Sequence, residues 1–492
     1  MRALLLSTYE LGHQPLHVAA PAGALLRAGH EVRCADLSLE PLDPELLDWA
    51  EAVAVSVPMH TAMRLARTAC AHVRALRPEL PVCFYGLYAT VDDGAEHAGR
   101  ADMAIAGEYE PPLLSWFADL AAGRQPLEGA GPRAVQVHVG RQEFGLPARQ
   151  LLPPLERYAR LVVGDETRLA GYVEASHGCA HRCRHCPVPV VYDGRTRVVA
   201  VESVLADVAQ LVGLGARHIT FGDPDFLNGP HHARRVVDAV HAAFPELTFD
   251  ITAKVEHVLA QRDLWPALAA AGCLFVVSAF ESASDEVLAR LDKGHTVVDE
   301  IEAVRVLRSA AIEPRPSFLP FTPWTRADDV MALLDLVAHC DLVGNVDPVQ
   351  YAIRLLVPPG SLLLEGDELH GLLGPYDTEH LGWSWASADP DLDELHARLT
   401  DVAEASGDAP WDPQSVYDEV RRVTVSLLGP SSGSLRAPAV DPLLRSSLEQ
   451  GARPRLSESW FCCAEPTRTQ LLAARPMAPA PSGSPVLLTG GR

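Results

Sequence analysis

Three cysteines fall within eight residues in Ser176-His177-Gly178-Cys179-Ala180-His181-Arg182-Cys183-Arg184-His185-Cys186-Pro187. Three thiolates so spaced can hold three irons of a [4Fe–4S] cube, and without a fourth local cysteine one iron stays open to a small chelating ligand. A zinc site is the competing assignment, because His177, His181 and His185 interleave with the thiols and could complete a Cys3His set. Zinc sites usually present two paired ligand arms, and no second arm of that spacing occurs in the chain. A separate thiol pair, Cys462-Cys463, follows Trp460-Phe461 near the end. Adjacent cysteines rarely close a relaxed disulfide on each other, since the small ring strains the peptide. They can instead chelate a thiophilic centre such as arsenite. The blander alternative is two buried cysteines beside two aromatics.

The other candidates are polar residues on apolar runs. In Gln350-Tyr351-Ala352-Ile353-Arg354, read as a strand, residues 350, 352 and 354 share one face. Gln350 and Arg354 on a buried strand need a polar interior or a ligand. Arg354 suits a ligand carboxylate, or equally an internal ion pair with an aspartate such as Asp250. Lys254 ends another strand candidate, on the same face as Asp250 and Thr252. Lys254 and Lys293 are the two lysines of a chain that otherwise uses arginine. A lysine kept in that background is either needed as a compact ammonium or a chance survivor on the surface.

The spacing Cys-x-x-x-Cys-x-x-Cys, with His185 before the last cysteine, resembles the signature of the radical S-adenosylmethionine (SAM) superfamily. The resemblance covers roughly residues 1–365. It implies that Cys179, Cys183 and Cys186 ligate a [4Fe–4S] cluster, that the open iron chelates SAM, and that an electron from the cluster cleaves a carbon–sulfur bond. Phe221-Gly222-Asp223-Pro224 stands where the superfamily has a Gly-Gly-Glu loop, making Gly222 and Asp223 SAM-binding candidates alongside His185. Glu281-Ser282, followed by Leu291-Asp292-Lys293-Gly294-His295-Thr296, resembles members with an N-terminal cobalamin-binding domain. There the carboxylate helps hold SAM; alternatively Glu281 caps the next helix. By position, Lys254 and Arg354 join the SAM-binding set and Gln350 the substrate side. Trp460-Phe461-Cys462-Cys463-Ala464-Glu465-Pro466 resembles the terminal motif of the CUAEP/CCAEP-tail radical SAM group. Some members of that group carry selenocysteine there, which implies a chalcogen used as nucleophile or soft ligand.

The expected function is therefore an enzyme that reductively cleaves SAM and joins a SAM-derived carbon group to a thiophilic substrate. As–C bond formation on arsenite, in secondary metabolism, is its concrete version. The alternatives are a cobalamin-dependent radical SAM methyltransferase acting on an organic metabolite, and a non-enzymatic Fe–S or zinc protein. A small-molecule substrate and an electron donor such as a flavodoxin or ferredoxin are the expected partners.

Positioning these residues calls for an α/β chain of several domains. At 492 residues, 48 % apolar and 21 % charged, the composition is globular. A net charge of −23 argues against binding nucleic acid or anionic membrane. No run of eighteen uncharged apolar residues occurs, so nothing spans a bilayer. The opening apolar stretch is too short for a signal peptide, and clustered free thiols point to the cytoplasm.

Strand–helix alternation over 1–124 predicts a Rossmann-like parallel sheet. Its ligands would sit at the strand ends near Tyr9–His13, Pro58–His60 and Gly86–Thr90, so His13, Pro58, Gly86 and Thr90 are candidate contacts. Leu25–Val32, Tyr85–Thr90 and Ala106–Glu110 resemble pieces of cobalamin-binding domains, which makes cobalamin a possible cofactor. The Asp-x-His-x-x-Gly loop that supplies a cobalt ligand elsewhere is absent, and a cofactor-free domain is the alternative. Residues 125–168 read as a linker. Over 169–365, Gly171–Ala175, Arg217–Phe221, Thr248–Lys254, Leu274–Phe280, Pro316–Pro320 and Pro348–Leu356 predict a partial (β/α)6 TIM-type barrel. Residues 366–466 read as a mainly helical region ending in Cys-Cys-Ala-Glu-Pro, and 467–492 as a disordered tail.

Overall fold

The computed structural model describes residues 1–91, 100–124, 134–407, 412–429 and 441–458. The first sheet contains β1 (Arg2–Ser7), β2 (Glu31–Asp36), β3 (Ala52–Ser56), β4 (Val82–Tyr85), β5 (Met103–Gly107) and β6 (Ala134–His138). Its order is β2-β1-β3-β4-β5-β6, with every pair parallel. Both faces are covered, and strand alternation divides the core. Ala3, Leu5, Ala52 and Ala54 pack against helices Leu16–Arg27 and Glu110–Ala121. Leu4, Leu6, Val53 and Val55 pack on the other side against His60–Leu76. Near-continuous apolar runs are what a doubly covered parallel sheet requires.

The stretch expected as a linker supplies structure to both sheets. β6 extends the first sheet, and its approach is close: a Cβ on Gly107 would lie 2.1 Å from the His138 carbonyl oxygen. β7 (Arg160–Val163) forms an antiparallel hairpin with β8 (Glu166–Val173), turning through Gly164 at φ +57°. Between them Arg149, 1 % exposed, forks onto Asp207 at 3.0 and 2.7 Å and donates to the carbonyls of Gln14 and Tyr172. One guanidinium thus ties the first domain to the second.

A short antiparallel pair, β9 (Ser176–Gly178) with β10 (Thr196–Val198), follows β8. The barrel sheet continues through β11 (His218–Phe221), β12 (Thr248–Thr252), β13 (Cys273–Glu281) and β14 (Glu313–Phe318), all parallel to β8. A hairpin of β15 (Leu373–Asp377) and β16 (Gly382–Trp385) and the helices Pro390–Gly407 and Pro413–Leu428 come next. β17 (Arg455–Leu456) then returns to pair antiparallel with β7. The full order is β14-β13-β12-β11-β8-β7-β17.

The predicted sixth barrel strand is not one. Residues Pro348–Tyr351 form a 3-10 turn, and a single parallel bridge joins Phe321 to Arg354. The reason lies in β14. The amide of Leu319 donates to Glu281 of β13, so the residues two apart from it, Ser317 and Arg315, also face β13. Pro314 and Pro316 have the opposite parity and face the open edge, where they have no N–H to donate. Phe318 shares that parity, and its amide is taken by the Gln350 side chain at 2.9 Å. Gln350 therefore caps an edge strand; the shared strand face of 350, 352 and 354 does not exist. Among the described residues, no helix is long and apolar enough to cross a membrane.

Candidate active site

The cysteine loop follows β8 at the carboxyl end of the barrel strands, and neighbouring strand ends hold it from several sides. Asp223, after β11, accepts from the Ala175 amide at 2.9 Å and the Ser176 hydroxyl at 2.5 Å. Asn228 accepts from the Ala180 amide at 3.0 Å, with Cys179 Sγ at 3.7 Å from the same oxygen. The Arg184 amide donates to the Leu291 carbonyl at 2.9 Å, and its guanidinium pairs with Glu368. Cys179 and Cys183 are buried and Cys186 is half-buried. Burial pushes the Cys179 thiol up to about 11 and raises Cys183 as well, against the opposing pull of Lys293 and Lys254.

The three histidines expected as rival zinc ligands are all turned to carboxylates or another imidazole. His177 bridges Glu108 at 3.1 Å and Glu174 at 3.2 Å. His181 faces His257, Nε2 to Nε2, at 3.3 Å. His185 Nε2 lies 3.2 Å from Glu281 Oε1, while its buried Nδ1 has no hydrogen-bond partner. A Cys3His zinc set therefore receives no support from these positions.

Glu281 is the most constrained residue of the site. It stands at a register shift between β13 and β14 with φ +69°, in the left-handed region that a glutamate rarely adopts. Its Oε1 takes Lys293 Nζ at 3.0 Å as well as His185. Burial works against its charge, yet Lys293 and His185 hold the carboxyl well below the usual range. Lys293 is 2 % exposed and raised in turn by Glu281 and by the thiols of Cys183 and Cys186, against its own burial. Lys254 is also buried, with Nζ 3.5 Å from Glu256. Both lysines pull the Cys183 thiol down electrostatically, against the effect of its burial. Lys293 was legible as a rare lysine and as part of the Leu291–Thr296 segment that carries the resemblance; Asn228, Asp225 and His257 carried no motif that marked them.

Other expected residues have protein partners. Gly222 is required by Tyr172, whose ring carbon Cζ would lie 1.9 Å from an added Cβ. Asp223 is pushed up to about 7 by burial and is engaged with the cysteine loop. Arg354 pairs with Asp393 at 2.8 Å and stacks over Trp385 at 3.6 Å. Asp250, its proposed alternative partner, instead takes His218 and Thr220, each at 2.8 Å. Cys462 and Cys463 lie outside the described residues.

A cavity runs through the barrel interior beneath the loop. Tyr172, Thr220, Asp250, Thr252, Phe275 and Arg315 are among its lining residues, joined by Leu11 of the first domain and by Leu456 and Glu458 of the C-terminal segment. The Tyr9 hydroxyl donates to Glu458 at 2.9 Å, so first domain and C-terminal segment meet at this opening.

A parallel α/β domain ahead of a half-barrel with a three-cysteine loop at its strand ends is the architecture of a SAM-cleaving radical enzyme. The radical SAM superfamily model matches residues 173–337, a stretch that takes in the cysteine loop and strands β11 to β14, and the parallel sheet ahead of it has the fold of the first domain in cobalamin-dependent radical SAM enzymes. It is 23 % identical over 337 residues to the hopanoid C-3 methylase of Methylococcus capsulatus, covering 64 % of this chain and 62 % of that protein. It is 27 % identical over 244 residues to a tRNA-2-methylthio-N(6)-dimethylallyladenosine synthase of Pseudoalteromonas atlantica, covering 46 % and 49 %. The chain thus spans less than two thirds of these relatives. In fold it is similar to the cobalamin-dependent radical enzyme OxsB, with a TM-score of 0.65 at 14 % identity, covering 87 % of this chain and 71 % of that one. It is also similar to the radical SAM methyltransferase TsrM of Kitasatospora setae, with a TM-score of 0.56 at 21 % identity, covering 68 % and 70 %.

The site fits the superfamily's cluster. Three thiols share one loop, Cys186 lies within electrostatic reach of both Cys179 and Cys183, and the buried ammonium groups of Lys293 and Lys254 favour the anionic form of Cys183. The predicted corrin contacts fit less well. His13 packs on Tyr172 with ring centroids 4.8 Å apart. A Cβ on Gly86 would meet the Val57 carbonyl at 2.9 Å, so its backbone serves a turn. Pro58 and Thr90 are half-buried. His60 lies under the backbone of His380 and Leu381, and Leu381 is buried in the first domain's own core.

Proposed function

We propose that this chain is a radical SAM enzyme whose barrel presents a SAM-derived carbon group to a thiophilic acceptor held by Cys462 and Cys463, trivalent arsenic as arsenite being the concrete case. The observation that carries this reading is the course of the C-terminal segment. Leu456 and Glu458 line the barrel cavity, and Cys462 is four residues further on, a reach of at most about 14 Å. A soft atom chelated by the two thiols would be delivered to the cavity rather than diffuse to it, which is the orientation contribution such a reaction needs.

Cys179, Cys183 and Cys186 would hold the [4Fe–4S] cluster, which when bound supplies the electron that cleaves a carbon–sulfur bond of SAM. The chain's own residues do the rest. Lys293 and Lys254 offset negative charge at the loop, and Glu281 fixes Lys293 and His185. Tyr172, Phe275 and the C-terminal segment line the cavity in which the carbon group would be presented. A small one-electron protein of the flavodoxin or ferredoxin kind would serve as reductant, and the net charge of −23 favours a small-molecule acceptor over tRNA.

The test is product formation. Cys462→Ser and Cys463→Ser should keep iron content and uncoupled SAM cleavage within about twofold of the parent while losing alkylated product by a factor of 100 or more, on the order expected when positioning is lost. Full product from the double serine variant would overturn the thiol reading. The second reading, cobalamin-dependent methyl transfer to an organic metabolite, is supported by the fold likeness to OxsB and TsrM. Reconstitution with hydroxocobalamin decides it: stoichiometric retention of the corrin absorbance after gel filtration would favour it, and loss of the corrin on the column would count against it.

A further inference from the structure

Beside the cysteine loop three side chains from three elements converge on one point. His181 comes from the loop, Asp225 from the turn after β11, and His257 from the helix Val255–Ala260 after β12. His257 Nδ1 is 2.8 Å from Asp225 Oδ2, which orients the ring and leaves Nε2 as its free donor atom. That Nε2 faces His181 Nε2 at 3.3 Å, and Asp225 Oδ2 is 3.8 Å from His181 Nε2. All three candidate ligand atoms lie within 4.8 Å of one another.

Two features separate this arrangement from an ordinary hydrogen-bonded chain. First, the Nε2–Nε2 separation of 3.3 Å lies beyond the range of about 2.7–3.2 Å in which N–H groups ordinarily donate to oxygen. Two imidazole nitrogens on a tetrahedral zinc, each at about 2.0–2.1 Å, stand about 3.3 Å apart. Second, the Asp225–His257 contact is the carboxylate–histidine pairing that fixes the tautomer and raises the basicity of a metal-bound imidazole. Asp225 itself is held by the Leu227 amide at 3.0 Å and the Lys254 amide at 3.3 Å, and its side chain is fully buried. The His181 and His257 side chains are 16 % and 18 % exposed, which leaves a path for an ion from solvent.

We infer that His181, His257 and Asp225 form a second metal site, distinct from the three thiols, for one borderline divalent cation such as Zn²⁺. The two Nε2 atoms are its nitrogen ligands. Asp225 orients His257 and lies close enough to contribute an oxygen, and a remaining position stays open to water or to a donor atom of a substrate. No electron transfer is required of it, and the inference holds whatever the substrate is.

The experiment measures metal, not turnover. Cluster-loaded full-length protein is dialysed anaerobically against micromolar Zn²⁺ and its metal content determined. The parent should retain one zinc beyond about four irons. Zinc-edge X-ray absorption should show nitrogen and oxygen neighbours at about 2.0–2.2 Å and no sulfur at about 2.3 Å. His181→Ala and His257→Ala should lose the zinc while keeping iron and the visible spectrum, and Asp225→Asn should weaken zinc binding about 10–100-fold. A parent without the extra zinc overturns the inference. So do sulfur ligands in the absorption spectrum, or zinc retained by a folded His257→Ala. If an alanine variant fails to fold, the parent's stoichiometry and ligand shell decide alone.

Discussion

The cysteine loop shows what single residues can and cannot announce. Cys179, Cys183 and Cys186 were legible at once, because a local spacing carries its own chemistry. Their electrostatic setting was not, because it comes from residues about 70 to 110 positions further along the chain. Lys293 and Glu281 form a pair in which both charges are out of water. Removing one partner from such a pair strands the other, at a cost of about 3–5 kcal/mol. Lys293→Met should therefore destabilise the chain by about that amount in denaturant unfolding and release His185 from its fixed place. Lys293→Met with Glu281→Gln should recover most of the loss, since no charge is then left unpaired. Equal stability of the single variant and the parent would mean that the pair is not formed. The sequence offered two hints, the scarcity of lysine and the resemblance carried by Glu281-Ser282 and Leu291–Thr296; the left-handed backbone of Glu281 left no trace in it.

At the scale of elements, alternation of apolar runs was enough to read the first domain as a parallel sheet and to place five barrel strands to within a few residues. Two readings went differently for identifiable reasons. The stretch 125–168 lacks periodicity because β6 is a sheet edge with Gln136 and Val137 exposed, so no buried face imposes a pattern. Pro348–Leu356 looked like a strand because Gln350, Ala352 and Arg354 alternate, but a proline at the first position of a 3-10 turn satisfies the same letters. The deciding signal, Pro314 and Pro316 two residues apart in the preceding strand, was visible and shows that two of the β14 positions on that side had no amide to donate to a partner strand. The two readings of Gln350 differ in outcome. As the cap of Phe318, Gln350→Ala leaves a buried amide unmet and should cost about 1–3 kcal/mol, with SAM cleavage per folded molecule unchanged. A variant with parental stability and lost turnover would restore Gln350 to the substrate side.

At the scale of the whole molecule the striking of contacts between parts depends on a few neutral histidines. His13 packs on Tyr172 where the first domain meets the barrel. His60 sits under the hairpin loop at His380 and Leu381. His396 packs edge-on against Phe321 at 5.1 Å, joining the C-terminal helices to the barrel. Burial pushes each of the three down to about 4. A group whose folded value is depressed contributes stability that is fully present above its unfolded value of 6.5 and is lost as pH falls toward 4. At pH 5 that loss is about 2 kcal/mol for each histidine. His17, also between the first domain and the barrel, has the opposite sign. Burial opposes its charge, but Glu174 and Glu10 raise it to about 10, so its contribution is intact in acid and fades only above neutral pH as the medium approaches that value. Acid should therefore loosen the joints before it melts the sheets. Hydrogen exchange at pH 7.5, 6 and 5 should show protection falling first in 9–14, 60–76 and 377–399, while β1, β3 and β4 stay protected. His60→Gln should flatten the pH dependence of 60–76 in particular. Uniform loss of protection across joints and sheets, or no change between pH 7.5 and 5, would show that these histidines do not govern how the parts are held together.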